Sequence, residues 1–121
     1  VGRIANIFFE SLALQYRYCA EKLMEISKRK IRKLYIVGGG SKNTLVNQYV
    51  ANAAKLPVLT GVTEASATGN LLCQMYGNKE VGSKSEIKEI LKNTYPVKCY
   101  VPQNTEEWEE KFQEYKKKFL E

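Results

Sequence analysis

Ile36-Val37-Gly38-Gly39-Gly40-Ser41-Lys42-Asn43-Thr44-Leu45-Val46-Asn47-Gln48 sets three consecutive glycines between an apolar run and a helix-like pattern. Leu34-Tyr35-Ile36-Val37 is short, continuous and rich in strand formers, so it reads as a buried strand that the glycines stop. Beyond them, Leu45, Val46, Tyr49, Val50 and Ala53 mark one face of a helix, with Ser41 or Asn43 as its cap. A strand-to-helix turn that needs a positive φ is served by one glycine. Three in a row also clear away the Cβ atoms that keep a ligand off the backbone, and the helix start beyond them favours an anion.

Working outward, Ile4, Phe8, Leu12, Tyr16, Cys19, Leu23 and Ile26 recur at spacings of three and four, which predicts an amphipathic helix. Leu56-Pro57-Val58-Leu59 predicts a second short strand. Strands at 34–37 and 57–60 this apolar are expected to be buried on both faces. Glu64 to Tyr76 reads as a third helix with Glu64 as its cap, and Gly69 within it suggests close backbone packing. Residues 77–82 read as a loop, and Ser83 with Glu86 as a capping box before Ile87, Ile90 and Leu91. Tyr95 to Val101, bracketed by Pro96 and Pro102, reads as an edge strand. Asn104 with Glu107 offers another capping box, and Trp108, Phe112, Tyr115 and Phe119 form one apolar stripe on a last helix. Helices alternating with strands make this an α/β chain.

A length of 121 residues fits one domain, and 44% apolar with 26% charged residues is ordinary for a globular protein. The net charge of +6 owes most to Lys28, Arg29, Lys30, Arg32 and Lys33. These cations close the first helical pattern, where they complement its dipole. No interleaved aromatics accompany them, so nucleic acid is not the expected partner. No apolar run is long enough to span a membrane, and no signal peptide is recognisable. Cys19, Cys73 and Cys99 are far apart, without a CxxC pair or any histidine, which argues against zinc and for reduced thiols in a cytoplasmic protein. All 13 acidic residues are glutamates. With neither aspartate nor histidine, the stock of general acids and bases is thin, and no catalytic or metal-binding residue is assigned. A start at Val1 reads as a piece of a longer protein.

Two phosphate motifs fail in detail. A dinucleotide fingerprint needs a third glycine where Asn43 stands, and an acidic residue about twenty places on; Glu64 comes nearest, at a helix start. Gly77 and Gly82 have P-loop spacing, but Ser83 occupies the lysine position. Three readings stay open on residues alone: part of a nucleotide-dependent enzyme, a self-standing module that binds a nucleotide or another anion, and a basic nucleic-acid binder.

The glycine stretch, followed by Leu56-Pro57-Val58 and Glu64-Ala65-Ser66-Ala67-Thr68-Gly69-Asn70, resembles the end of the FGGY carbohydrate kinases. Their pattern is a GG(G/A)xxN loop, a helix bearing a Gln (here Gln48), an LPV strand and an E(A/T)xxxG helix. Phe9-Glu10-Ser11-Leu12-Ala13 is similar to that family's preceding long helix, and Gly69-Asn70 in place of Gly-Ala sets the chain with one branch of it. The resemblance covers residues 4 to 76; beyond them only the final aromatic helix is reminiscent.

The resemblance implies part of the C-terminal half of an actin/hexokinase-like (ribonuclease-H-like) ATPase fold, with ATP between two domains. Residues 1–121 would then be one fragment of the nucleotide-binding domain. The N-terminal domain that holds the sugar substrate, and the aspartate base, would lie outside it. Gly39 and Asn43 would contact ATP, the Gly39 N–H facing phosphate and the Asn43 amide facing adenine, with Gly38 and Gly40 shaping the loop. Mg²⁺ is expected in the parent enzyme but not on this chain. Alone, the chain is expected to be inactive as a kinase and to self-associate through uncovered apolar surface.

Overall fold

A computed structural model describes residues 2–120. Helix α1 runs over Gly2–Ser27 and strand β1 over Leu34–Ile36. A short 3-10 turn at Gly39–Lys42 leads into α2, Thr44–Ala54, and then β2, Val58–Thr60. Helices α3 (Ala65–Gly77) and α4 (Lys84–Thr94) come next. Strand β3 (Lys98–Tyr100) and helix α5 (Thr105–Phe119) follow. The chain is mixed α/β, mostly helical around a small sheet.

The sheet has the order β1-β2-β3. β1 and β2 are parallel, Leu34 opposite Val58 and Ile36 opposite Thr60, and α2 is the crossover between them. β3 joins antiparallel, with Thr60 opposite Lys98. The carboxyl ends of β1 and β2 and the first residue of β3 therefore emerge along one edge.

Helix α2 is the centre of the core. Val46, Val50, Ala51 and Ala53 are buried, and its neighbours are α1, α5 and the sheet. Ala13 and Leu14 of α1, Ile36, Val58, and Trp108 and Phe112 of α5 complete the cluster. Two asparagines are buried on α2 as well, Asn52 with its oxygen paired and Asn47 with only its amide nitrogen paired, the Asn47 Oδ1 having no partner among the described residues. Asn47 donates to the Ser41 carbonyl at 2.9 Å, and the Asn52 side-chain oxygen accepts from the Gln103 N–H at 2.8 Å. Gln48 donates to Asn52 and to the Val101 carbonyl, so it acts within the fold. Left-handed Lys55 closes α2.

Several expectations are corrected. The α1 stripe is not core: Ile4, Phe8, Leu23 and Ile26 are more than half exposed, while Ala13, Leu14, Arg17 and Ala20 are buried. Small residues let α1 approach α2 closely, and they won over the larger apolar stripe. Tyr35 and Val37 are exposed, so β1 is covered on one face. Phe119 on α5 is exposed too, although Trp108 and Phe112 are buried. A Cβ at Gly69 would meet nothing within 4 Å; the residue lines an apolar groove with Leu72, Cys73, Tyr76, Ile87 and Leu91. The basic residues of 28–33 are exposed and lie past the end of α1, not in its last turn.

The capping boxes are only partly as expected. Ser83 accepts from the Glu86 N–H, but Glu86 reaches one residue further back, to the Gly82 N–H at 2.9 Å. Asn104 is left-handed, with no capping hydrogen bond, and Glu107 pairs with Lys111 instead.

Candidate nucleotide-binding loop

The loop begins where β1 ends. The Gly38 N–H donates to the Val62 carbonyl at 2.8 Å, tying the end of β1 to the segment that leaves β2. Gly38 has φ 78° and ψ −163°, a conformation that side-chain-bearing residues scarcely adopt. Its carbonyl accepts from the Ser41 N–H at 3.1 Å and the Ser41 hydroxyl at 2.6 Å, and this closes the 3-10 turn. Gly38 alone thus satisfies the backbone demand of the turn.

Gly39 and Gly40 are different. Neither has a positive φ; a Cβ on Gly39 would meet nothing within 4 Å, and one on Gly40 would just touch Ile36 at 4.0 Å. As the first residues of the turn, neither donates its N–H to an acceptor among the described residues. The chain's own packing leaves two adjacent glycines with free donors and no internal reason to lack side chains.

Asn43 is the cap of α2, its side-chain oxygen accepting from the Val46 N–H at 3.1 Å. Of the two caps the sequence allowed, Asn43 holds the position and Ser41 is buried in the turn before it. The cap uses the amide oxygen only; the amide nitrogen keeps both donors, with no acceptor among the described residues. Gly38, Gly39, Gly40 and Asn43 are therefore brought together on one turn.

Glu64 stands at the α3 cap position but makes no capping hydrogen bond. It pairs with Lys42 at 3.3 Å in an exposed contact that contributes little by itself. A divalent cation such as Mg²⁺ takes several oxygen ligands. This lone, engaged carboxylate does not supply them, and no cluster of three or more His, Cys, Asp or Glu forms among the described residues. Among the described residues, the donor set beside the loop does not fit Mg²⁺.

Sequence reading missed three groups along the same edge: Lys42, Thr60 and Lys98 line a cleft beside the loop. The available signal was topological: ligands of open α/β sheets sit outside the carboxyl ends of parallel strands.

A glycine-rich turn with free N–H groups joins the carboxyl end of a parallel strand to the start of a helix, a strand–turn–helix unit of the α/β class. The chain belongs to the FGGY family of carbohydrate kinases: residues 2–77 match the C-terminal domain of that family. Curated relatives include the rhamnulokinase of Bacteroides thetaiotaomicron, 40% identical over 108 residues, which is 89% of this chain and 22% of the relative. The rhamnulokinase of Bacillus subtilis is 35% identical over 103 residues, 85% of this chain and 21% of its own length. That of Pectobacterium carotovorum is 39% identical over 101 residues, 84% and 20%. The chain thus spans about a fifth of the length of these relatives. Among the described residues no helix is long and apolar enough to cross a membrane.

Proposed function

We propose that this chain is the C-terminal ATP-binding portion of a sugar kinase of actin/hexokinase-like fold, acting in the cytoplasm. The parent enzyme transfers phosphate from ATP to L-rhamnulose, giving L-rhamnulose 1-phosphate and ADP. The family membership and the relatives named rhamnulokinase support this reading. The observation that carries it is the pair Gly39 and Gly40, whose missing side chains the fold does not require and whose N–H groups are free. A phosphate approaching the backbone requires both properties. Asn43, fixed by its capping bond, turns its free amide donors to acceptors on the adenine.

Phosphoryl transfer consists mostly of positioning and charge stabilisation. With no aspartate or histidine, the chain has no strong candidate for the base that takes the sugar hydroxyl's proton. Its role is to bind and orient the nucleotide, and it has no kinase activity alone.

The test is Gly39→Val in the full-length enzyme. The KM for ATP rises at least tenfold while the KM for sugar changes less than twofold. Equal changes in both, or none, would reduce the loop to a turn. L-rhamnulose is tested separately, by ranking kcat/KM over a panel of ketoses.

A further inference from the structure

The cleft beside the loop is built at the same sheet edge but from other residues. Ser41 and Lys42 come from the 3-10 turn, Thr60, Gly61 and Thr63 from the end of β2, and Tyr95, Pro96 and Lys98 from the approach to β3. The cleft has a volume of about 400 Å³, ample for a phosphate with its hydration.

Two of its groups, Thr60 and Lys98, have no side-chain partner among the described residues, and a third, Lys42, has only an exposed one. Thr60 is 5% exposed, its hydroxyl joins no hydrogen bond among the described residues, and that oxygen is not sealed in. Thr60 lines the cleft, so a ligand there is the partner within its reach. Lys98 has no carboxylate partner among the described residues, and it stands opposite Thr60 in the β2–β3 pairing. Lys42, which also lines the cleft, holds only the exposed Glu64 at 3.3 Å, a pair that an incoming anion can displace. Of the other hydroxyls lining the cleft, Ser41 is engaged with the Gly38 carbonyl and Tyr95 with Thr68, while Thr63 offers a further one that is free among the described residues.

We propose that this cleft is a phosphoryl-anion site, in which Lys98, Lys42 and the Thr60 hydroxyl receive a tetrahedral phosphate. A near-buried neutral donor sharing one cleft with two flexible ammonium groups recognises such an anion by charge-assisted hydrogen bonds. Two sources carry that chemistry, the phosphate tail of a nucleotide seated on the glycine loop and free orthophosphate. The proposal rests on the nucleotide reading for the first source only.

The experiment is calorimetric titration of the full-length protein with ATP, AMP, adenosine and sodium orthophosphate. It compares wild type with Thr60→Val, Lys98→Gln and the surface control Lys92→Gln. Thr60→Val keeps the shape of the buried strand residue and removes only the hydroxyl. Thr60→Val and Lys98→Gln each weaken the anion about tenfold, leave adenosine unchanged, and differ from Lys92→Gln, which does nothing. If the tail is the source, ATP loses affinity, AMP loses less, and wild type binds no orthophosphate on its own. If orthophosphate is the source, it binds wild type together with adenosine, and both cleft variants lose it. ATP binding that neither variant disturbs, with no variant-sensitive orthophosphate, overturns the cleft and leaves the nucleotide reading standing. Orthophosphate bound through Thr60 and Lys98 in a protein that binds no ATP overturns the nucleotide reading and keeps the cleft. Adenosine weakened as much as ATP makes Thr60 and Lys98 structural, and the proposal falls.

Discussion

Arg17 of α1 and Glu109 of α5 meet at 2.7 Å across the face of the core, and the Arg17 guanidinium lies 3.9 Å over the Phe112 ring. Glu109 also receives Lys55, at the end of α2, at 2.7 Å. One carboxylate therefore ties together the three helices that enclose the core. Arg17 also bonds Glu21, yet its Nη1 stays buried without a partner. Removing Glu109 leaves a mostly buried cation with fewer partners. Glu109→Gln is expected to lower stability by about 2 kcal/mol, read as a reduced urea midpoint with an unchanged slope.

The same carboxylate sets a pH dependence. Hydrogen bonds from Lys55, Gln113 and Arg17 hold Glu109 down at about 2, below the ordinary 4.5. A group that is more acidic in the folded state stabilises the fold fully above its unfolded value. That contribution is lost as the pH falls from about 4.5 towards about 2. The stability gap between wild type and Glu109→Gln should therefore be constant from pH 8 to 6 and shrink below about 4.5. A gap that stays constant down to pH 3 would remove the ion cluster from the account.

The glycines predict opposite outcomes for neighbouring substitutions. Gly38→Ala forces a side-chain-bearing residue into φ 78° and ψ −163° and is expected to cost about 1–3 kcal/mol. Gly39→Ala meets open space at an ordinary φ, so the melting temperature is held or rises slightly. Its ATP affinity should still fall, because the methyl group stands where phosphate approaches. Thermal melts beside ATP titrations separate the two, and equal stability losses at both positions would contradict the geometry.

Much of this was legible in the sequence, and the failures share a cause. The strand–glycine–helix unit was readable from 34 to 54 because each segment carries its own local signal. The choice between Ser41 and Asn43 as cap was not, since both types suit the position and only the 3-10 turn buries Ser41. The buried face of α1 was misread because periodicity ranks faces by size and hydropathy, whereas Ala13 and Ala20 are buried for being small. The cleft was invisible because Lys42, Thr60 and Lys98 come from segments far apart in sequence, joined only by strand register.

Asn43 does two jobs that substitution can split. Asn43→Ala removes the Val46 cap and should cost about 1 kcal/mol. Asn43→Asp keeps an oxygen acceptor at a helix start, where negative charge is favourable, but has no amide donors. Stability should be retained in Asn43→Asp while ATP affinity falls about as far as in Asn43→Ala. Full ATP affinity in Asn43→Asp would confine Asn43 to capping.

Finally, the outer face of α1 predicts how the 121-residue chain behaves alone. Ile4, Phe8, Leu23 and Ile26 lie more than half exposed along one 26-residue helix, with Leu12 and Tyr16 less exposed between them. A continuous stripe of this length exceeds the scattered apolar exposure usual for a monomer. Two copies can bury it against each other, stripe on stripe, as antiparallel helices do. Sedimentation at micromolar concentration should show a concentration-dependent dimer or larger species, with binding of a hydrophobic dye. The double variant Phe8→Glu/Leu23→Glu charges the stripe at two turns without touching Ala13, Leu14 or Ala20, which face the core. It should run as a monomer with its thermal midpoint nearly unchanged, since neither side chain is buried in the fold. A wild-type chain that is monomeric and dye-free at the same concentration would mean that the stripe is not adhesive.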